Sequence, residues 1–192
     1  MNGIGVLEAQ LAVVNGILGR LIEGVRPDEW TARPAPGLNL PGFTLWHMAA
    51  TPDWAVHVAL RGIPEVRTQG RWAQNPGINP PLPPFGCSGA QADAVAHAVS
   101  RDDLAAYMRD VHAATRAWLA TLSDADLEAV PDLAANARHY PEERVIPGYL
   151  EEIANQMAWN VARFLTGPCI GHLRGHAGEL DVHLKLLRAR EV

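Results

Sequence analysis

The sequence predicts an all-α fold, a four-helix bundle with additional short helices and a long Pro-rich crossover. Three observations carry this. Apolar residues recur at three- and four-residue spacing over several long segments, the period of a helix with one buried face. No stretch alternates apolar and polar residues as a half-buried strand does. Clusters of proline and glycine separate the periodic segments. With 192 residues, 48% of them hydrophobic, the chain can form one domain, 1–192, with a full core.

The first helix is predicted over residues 4–24. Ile4, Leu7, Leu11, Val14, Leu18 and Leu21 keep helical spacing, and Gly24 is a plausible stop. PDEW (27–30) reads as a short turn and residues 33–42 as a loop. A second helix follows over 43–61. His47, Thr51, Trp54 and Val58 share its inward face, at i, i+4, i+7 and i+11. Pro52 is expected to kink this helix or to open a new one capped by Thr51. His57 falls elsewhere on the wheel and reads as a surface or interface residue.

Residues 62–88 form the long connection. GINPPLPPFG (77–86) suits neither helix nor central strand. It is either a passive crossover or one wall of a pocket, with Trp72 and Phe85 packed there. A short helix is predicted over 89–99. Ser100, with an acid at the third position after it, caps a third long helix over 101–122. Leu104, Met108, Val111, Trp118, Leu119 and Leu122 mark its buried side, with His112 near the edge. SDADL (123–127) caps a further turn, and 131–147 read as loop. A fourth helix over 148–165 would turn Leu150, Ile153, Met157, Val161 and Phe164 inward. Gly167 and Pro168 then break the chain and start a last helix over 168–188.

That last helix carries the chemistry. At about 100° per residue, His172, His176, Glu179 and His183 lie in one narrow stripe. Leu173, Leu180, Leu184 and Leu187 flank it on one side, Val182 and Leu186 on the other. The histidines therefore occupy the middle of the apolar arc, where burial of an imidazole costs free energy unless it has a partner. Two His at i, i+4 can reach one metal ion. A third ligand has to come from another helix, and His47, also in mid-stripe, is the best candidate. Glu179, one turn beyond His176, suits an acceptor for a ligand imidazole or a catalytic base better than a metal ligand. His183 is too far along the helix to join. Cys169 reads as a small buried hydrophobe, with a Cys–His nucleophilic pair as the enzymatic alternative.

Other classes find little support. No phosphate-cradling glycine loop and no GxSxG is present. The net charge of −5 gives no electrostatic reason to expect nucleic acid or an anionic membrane as partner. No apolar run is read as a transmembrane span, and MNGIGVLEAQ lacks the basic region of a secretory signal, so a cytoplasmic protein is expected. Two cysteines, Cys87 and Cys169, do not make a disulfide framework. Lys185 is the only lysine among 16 basic residues, a bias of composition rather than of function.

Four blocks together resemble the DinB/YfiT-like family of metal-binding four-helix bundles: RPAPGLNLPGFTLWHMAATPDW (33–54), QGRW…GI (69–78), LATLSDADL (119–127) and GHLRGHAGEL (171–180). The resemblance implies metal-binding histidines at the positions of His47, His172 and His176. It implies a divalent ion, nickel or zinc, and a homodimer. Characterised relatives include thiol-dependent S-transferases and a maleylpyruvate isomerase that use mycothiol or bacillithiol. A thiol S-transferase or isomerase acting on a small-molecule substrate is therefore expected. A metal-dependent hydrolase with Glu179 as base, or a non-enzymatic metal-binding bundle, is the alternative. Gly167, Pro168 and Pro52 depart from the family pattern: the first two make 149–167 an additional helical segment before the last helix, and neither departure removes a ligand.

Overall fold

The first helix, α1 (Gly3–Gly24), begins at Asn2, whose side chain accepts a hydrogen bond from the Gly5 amide at 3.0 Å. Its two leading amides, Gly3 and Ile4, donate to the Asp124 carboxylate, each at 3.0 Å. The orphan donors of a helix start are thus satisfied by a distant turn, Asp124–Glu128. Leu7, Leu11, Val14, Leu18 and Ile22 are buried, while Val6 and Val13 are exposed. By length and composition α1 is apolar enough to cross a membrane, with a mean hydropathy of 1.3, which corrects the sequence reading that no run reaches that size. A helix that supplies one whole face of a core passes the same test.

The computed structural model describes residues 2–190, and among these no strand is present. The chain is an all-α bundle. Its long members are α1, α2 (Pro41–Asp53), α4 (Arg101–Leu119) and α8 (His172–Arg188), which pack on one another around Leu45, Trp46, Met48, Leu104, Leu180 and Phe164. Between α2 and α4 lies the short α3 (Gly89–Ala98). Ser88 starts it with a capping box: its hydroxyl accepts from the Gln91 amide, and Gln91 accepts from the Ser88 amide. Ser100 caps α4 through the Asp103 amide at 3.2 Å. The expected loop at 131–147 contains the one-turn α5 (Leu133–Asn136), capped by Asp132.

Pro52 does not open a new helix, and Pro168 does not break the chain. Pro52 neither ends α2 nor opens a new helix; the chain runs through it and widens into a π-turn, Trp54–Leu60. Pro52 has no N–H for the preceding turn and its ring crowds that turn's carbonyl, so the wider spacing lets the helix continue. Pro168 sits in a second π-turn, Gly167–Gly171, which joins α7 (Val161–Thr166) to α8 without a break. The expected break at Gly167 and Pro168 is therefore corrected. The chain breaks earlier, after α6 (Pro147–Gln156), and Asn160 caps the new start by accepting from the Arg163 amide at 2.9 Å. The predicted single helix over 148–165 divides there. Val161 and Phe164 turn inward as expected, but Leu150 and Met157 are 55% and 45% exposed.

A buried ionic cluster fixes the crossover to the bundle. Asp53 accepts from the Val66 amide (2.9 Å), the Arg67 amide (3.1 Å) and the Tyr107 hydroxyl (2.7 Å). His57 Nδ1 lies 2.9 Å from the Asp53 carboxylate. His57 is thus 3% exposed, not a surface residue, because an i, i+4 carboxylate makes its burial tolerable. Glu65 stands between Arg67 and Arg144, 2.9 Å from each. Arg67 in turn donates to the Leu82 carbonyl at 2.9 Å and to Tyr140 at 3.0 Å. The Pro-rich segment owes its path to this cluster and to Trp46, whose indole donates to Ile78 O at 3.1 Å.

Candidate metal centre

The structure brings His47, His172 and His176 together. Their Nε2 atoms are mutually 2.9, 3.1 and 3.2 Å apart. His47 comes from the middle of α2; His172 and His176 come from the first two turns of α8. The π-turn before α8 carries the helix past Pro168 and so sets the rotation of both imidazoles.

The outer ring nitrogens decide which tautomers are present. His47 Nδ1 is 2.5 Å from the Pro84 carbonyl, which has no proton to give, so Nδ1 must donate. His176 Nδ1 is 2.5 Å from Glu179 Oε2 and donates in the same way. In the neutral rings both Nε2 atoms then turn bare lone pairs toward each other. Such a pair is repulsive unless a cation lies between. Three nitrogens bound to one ion at about 2.0–2.1 Å, in neighbouring positions, stand about 3 Å apart, and these do. The donor set thus fits a divalent ion, and the three residues form a group that can hold one.

Burial keeps the His47 and His172 imidazoles neutral. Desolvation, then the neighbouring His176, lowers His47 to about 4. Desolvation, then His47 and His176, lowers His172 to about 3. Lone pairs are therefore available at neutral pH without prior loss of a proton. Phe43 stacks on the His47 ring at 5.9 Å and 12° and holds its plane. His172 Nδ1 is buried without a partner.

Beside His47 and His172 opens a cavity of about 470 Å³. Trp54, Phe85, Trp159 and Pro168 supply apolar wall; Thr51, Glu152 and Gln156 supply polar groups. Phe85 is held by Trp54 at 4.8 Å edge-on and by Tyr149 at 5.4 Å stacked. Gly86 and Gly148 bring the crossover and α6 together backbone to backbone. A Cβ on Gly148 would lie 2.8 Å from Gly86 Cα, and Gly86 has φ of +75°. The crossover is therefore a wall of the cavity. Phe85 lines it as expected, while Trp72 packs elsewhere, against Tyr107 and Asp110.

Other expected residues fall as follows. Glu179 faces His176 and is not among the residues lining the cavity. His183 is buried, 3.6 Å from the other oxygen of Glu179, and stays outside the trio. Cys169 is 1% exposed and its thiol is pushed up to about 12 by burial, as a packed core residue. Leu173, Leu180, Leu184 and Leu187 are buried, but Val182 and Leu186 on the other flank are exposed. Sequence reasoning missed Glu152, Gln156, Trp159 and the Pro84 carbonyl. The first three depend on the break after α6, for which Asn160 three residues before Arg163 was the available signal. The Asp53–His57 pair was legible as an i, i+4 spacing.

No curated protein matches the chain at a significant level. The family model of the DinB superfamily matches residues 10–180, a span that contains all three histidines, both prolines and the whole crossover. That match covers most of the chain and agrees with the bundle and its three-histidine group: the chain belongs to the DinB superfamily.

Proposed function

We propose that the protein is a metal-dependent thiol S-transferase or isomerase, with zinc or nickel held by His47, His172 and His176. The cavity carries this reading: it is apolar, it is large enough for an organic ligand, and it opens beside two of the three imidazoles. Neutral imidazoles suit zinc and nickel alike. A bound ion supplies Lewis acidity, which lowers the pKa of a low-molecular-weight thiol of the mycothiol or bacillithiol kind.

The chain's own residues do the rest. Pro84 and Glu179 fix the tautomers of His47 and His176, so that both Nε2 lone pairs converge. Trp54, Phe85 and Trp159 supply apolar surface beside the space where sulfur meets carbon. In the transfer, a thiol and R–X give a thioether and HX: a sulfur–carbon bond forms and X leaves with the electron pair of the bond broken. Glu179 acts as a positioning residue. The hydrolytic alternative needs it as a base at the substrate, yet it lies against His176 and outside the cavity lining.

The test is a cobalt-loaded protein titrated with a low-molecular-weight thiol. A sulfur-to-cobalt absorption band, together with thiol conjugation of an electrophile that disappears on chelation, is the expected result. Conjugation at full rate by metal-free His176→Ala protein would defeat the reading.

A further inference from the structure

The lining of the cavity is electrically one-sided. Glu152 is its one acid, and it contains neither lysine nor arginine among the described residues. Gln156, 3% exposed, lines the same wall. Its Nε2 donates to Glu152 Oε1 at 2.6 Å. A carboxylate has no proton to return, so the amide orientation is fixed, and Gln156 Oε1 is left buried with no partner. Native proteins rarely leave a buried carbonyl unpaired without a reason. The charge on this wall is the Glu152 carboxylate, and the buried Gln156 carbonyl beside it is an unpaired acceptor. Trp54, Phe85 and Trp159 surround them with aromatic surface, which attracts cations at its faces. A ligand bearing several carboxylates or a phosphate finds no cation on this wall to pair with.

We propose that the organic ligand of this cavity carries a protonated amine that docks on Glu152 and Gln156, while its other end faces His47 and His172. This rests on reading the cavity as the ligand side of the metal centre. Glu152 and Gln156 come from α6, a different element from those that carry the histidines, so the two ends of the ligand are recognised by separate parts of the fold. The ammonium N–H groups satisfy the orphan carbonyl and pair with the carboxylate; the apolar middle covers the aromatic walls.

The test uses metal-loaded protein and three probes of matched shape: phenethylamine, phenethyl alcohol and phenylacetate. Binding is followed by tryptophan fluorescence, since Trp54 and Trp159 line the cavity, and by calorimetry. The amine is expected to bind about tenfold more tightly than the alcohol, the scale of one charge-assisted hydrogen bond. Glu152→Gln should bring the amine down to the affinity of the alcohol and leave the alcohol unchanged, with the melting temperature as the control for folding. The proposal is overturned if phenylacetate binds best, if the amine has no advantage, if its advantage survives Glu152→Gln, or if none of the three binds. Addition of β-mercaptoethanol to cobalt-loaded protein is read separately. Absence of the sulfur-to-cobalt band removes the thiol reading, whereas the charge preference at Glu152 is decided by the phenyl series alone.

Discussion

Nε2 of His47 and Nε2 of His176 stand 3.2 Å apart, and the Pro84 carbonyl and the Glu179 carboxylate each hold a proton on Nδ1, so that in the neutral rings both Nε2 atoms are bare. A fold that brings two lone pairs face to face needs a cation to make the contact favourable. Purified protein is therefore expected to carry close to one divalent ion per chain, and His47→Ala, His172→Ala and His176→Ala should each lose it. An ion that binds only the native state adds about 4 kcal/mol at a thousandfold excess over its Kd, so chelation should lower the Tm. Metal analysis and melting curves check both; an unchanged melting curve after verified metal removal counts against the site.

Glu179→Gln removes the carboxylate that orients His176. Loss of such a partner weakens metal affinity by about 10–100-fold. At saturating metal the variant should regain occupancy and much of its turnover. If Glu179 were the catalytic base, turnover would stay lost at full occupancy.

Cys169 is buried and protonated at neutral pH. Cys169→Ala should retain metal and activity, with a lowered Tm from the small void. Activity that vanishes while metal stays bound would restore the nucleophilic role.

Glu29 joins the end of α1 to the end of α8. It accepts from Arg188 Nε at 2.6 Å, Arg188 Nη2 at 3.0 Å and the Arg26 amide at 2.8 Å. The Arg188 hydrogen bond, the largest cause, holds its carboxyl below the ordinary 4.5. As pH falls the unfolded chain takes up the proton first, so this stabilisation is full above the ordinary value and is lost as pH drops through the lowered one. Between about pH 5 and pH 3 the Tm of the native sequence should fall more steeply than that of Glu29→Gln. At pH 7 the variant should be less stable by about 1–2 kcal/mol.

Arg67 is fully buried between Glu65, Tyr140 and the Leu82 carbonyl. Removing one member of a buried ionic group costs about 3–5 kcal/mol. Arg67→Met should show this in urea unfolding. It also frees Leu82, two residues before the carbonyl that holds His47, so metal affinity should fall with stability. Full metal affinity in a destabilised Arg67→Met would show that the crossover positions His47 without this anchor.

The sequence by itself determined the all-α class, the positions of the long helices and the placing of His47, His172 and His176 on inward faces. Each of these follows from local periodicity, which one side of a helix imposes on its residues whatever they pack against. It also marked Cys169 as core and Glu179 as a partner one turn from His176. Only the tertiary structure decided what Pro52 and Pro168 do. A proline removes one hydrogen bond, but whether the chain then breaks or widens into a π-turn depends on the packing that holds the helix on both sides. The same holds for His57, whose burial depends on Asp53, and for Leu150 and Met157, which stand about half exposed. The acceptor wall of Glu152 and Gln156 was out of reach of periodicity. It exists because α6 ends at Gln156 and lies across Gly86, a contact between two backbones far apart in the chain.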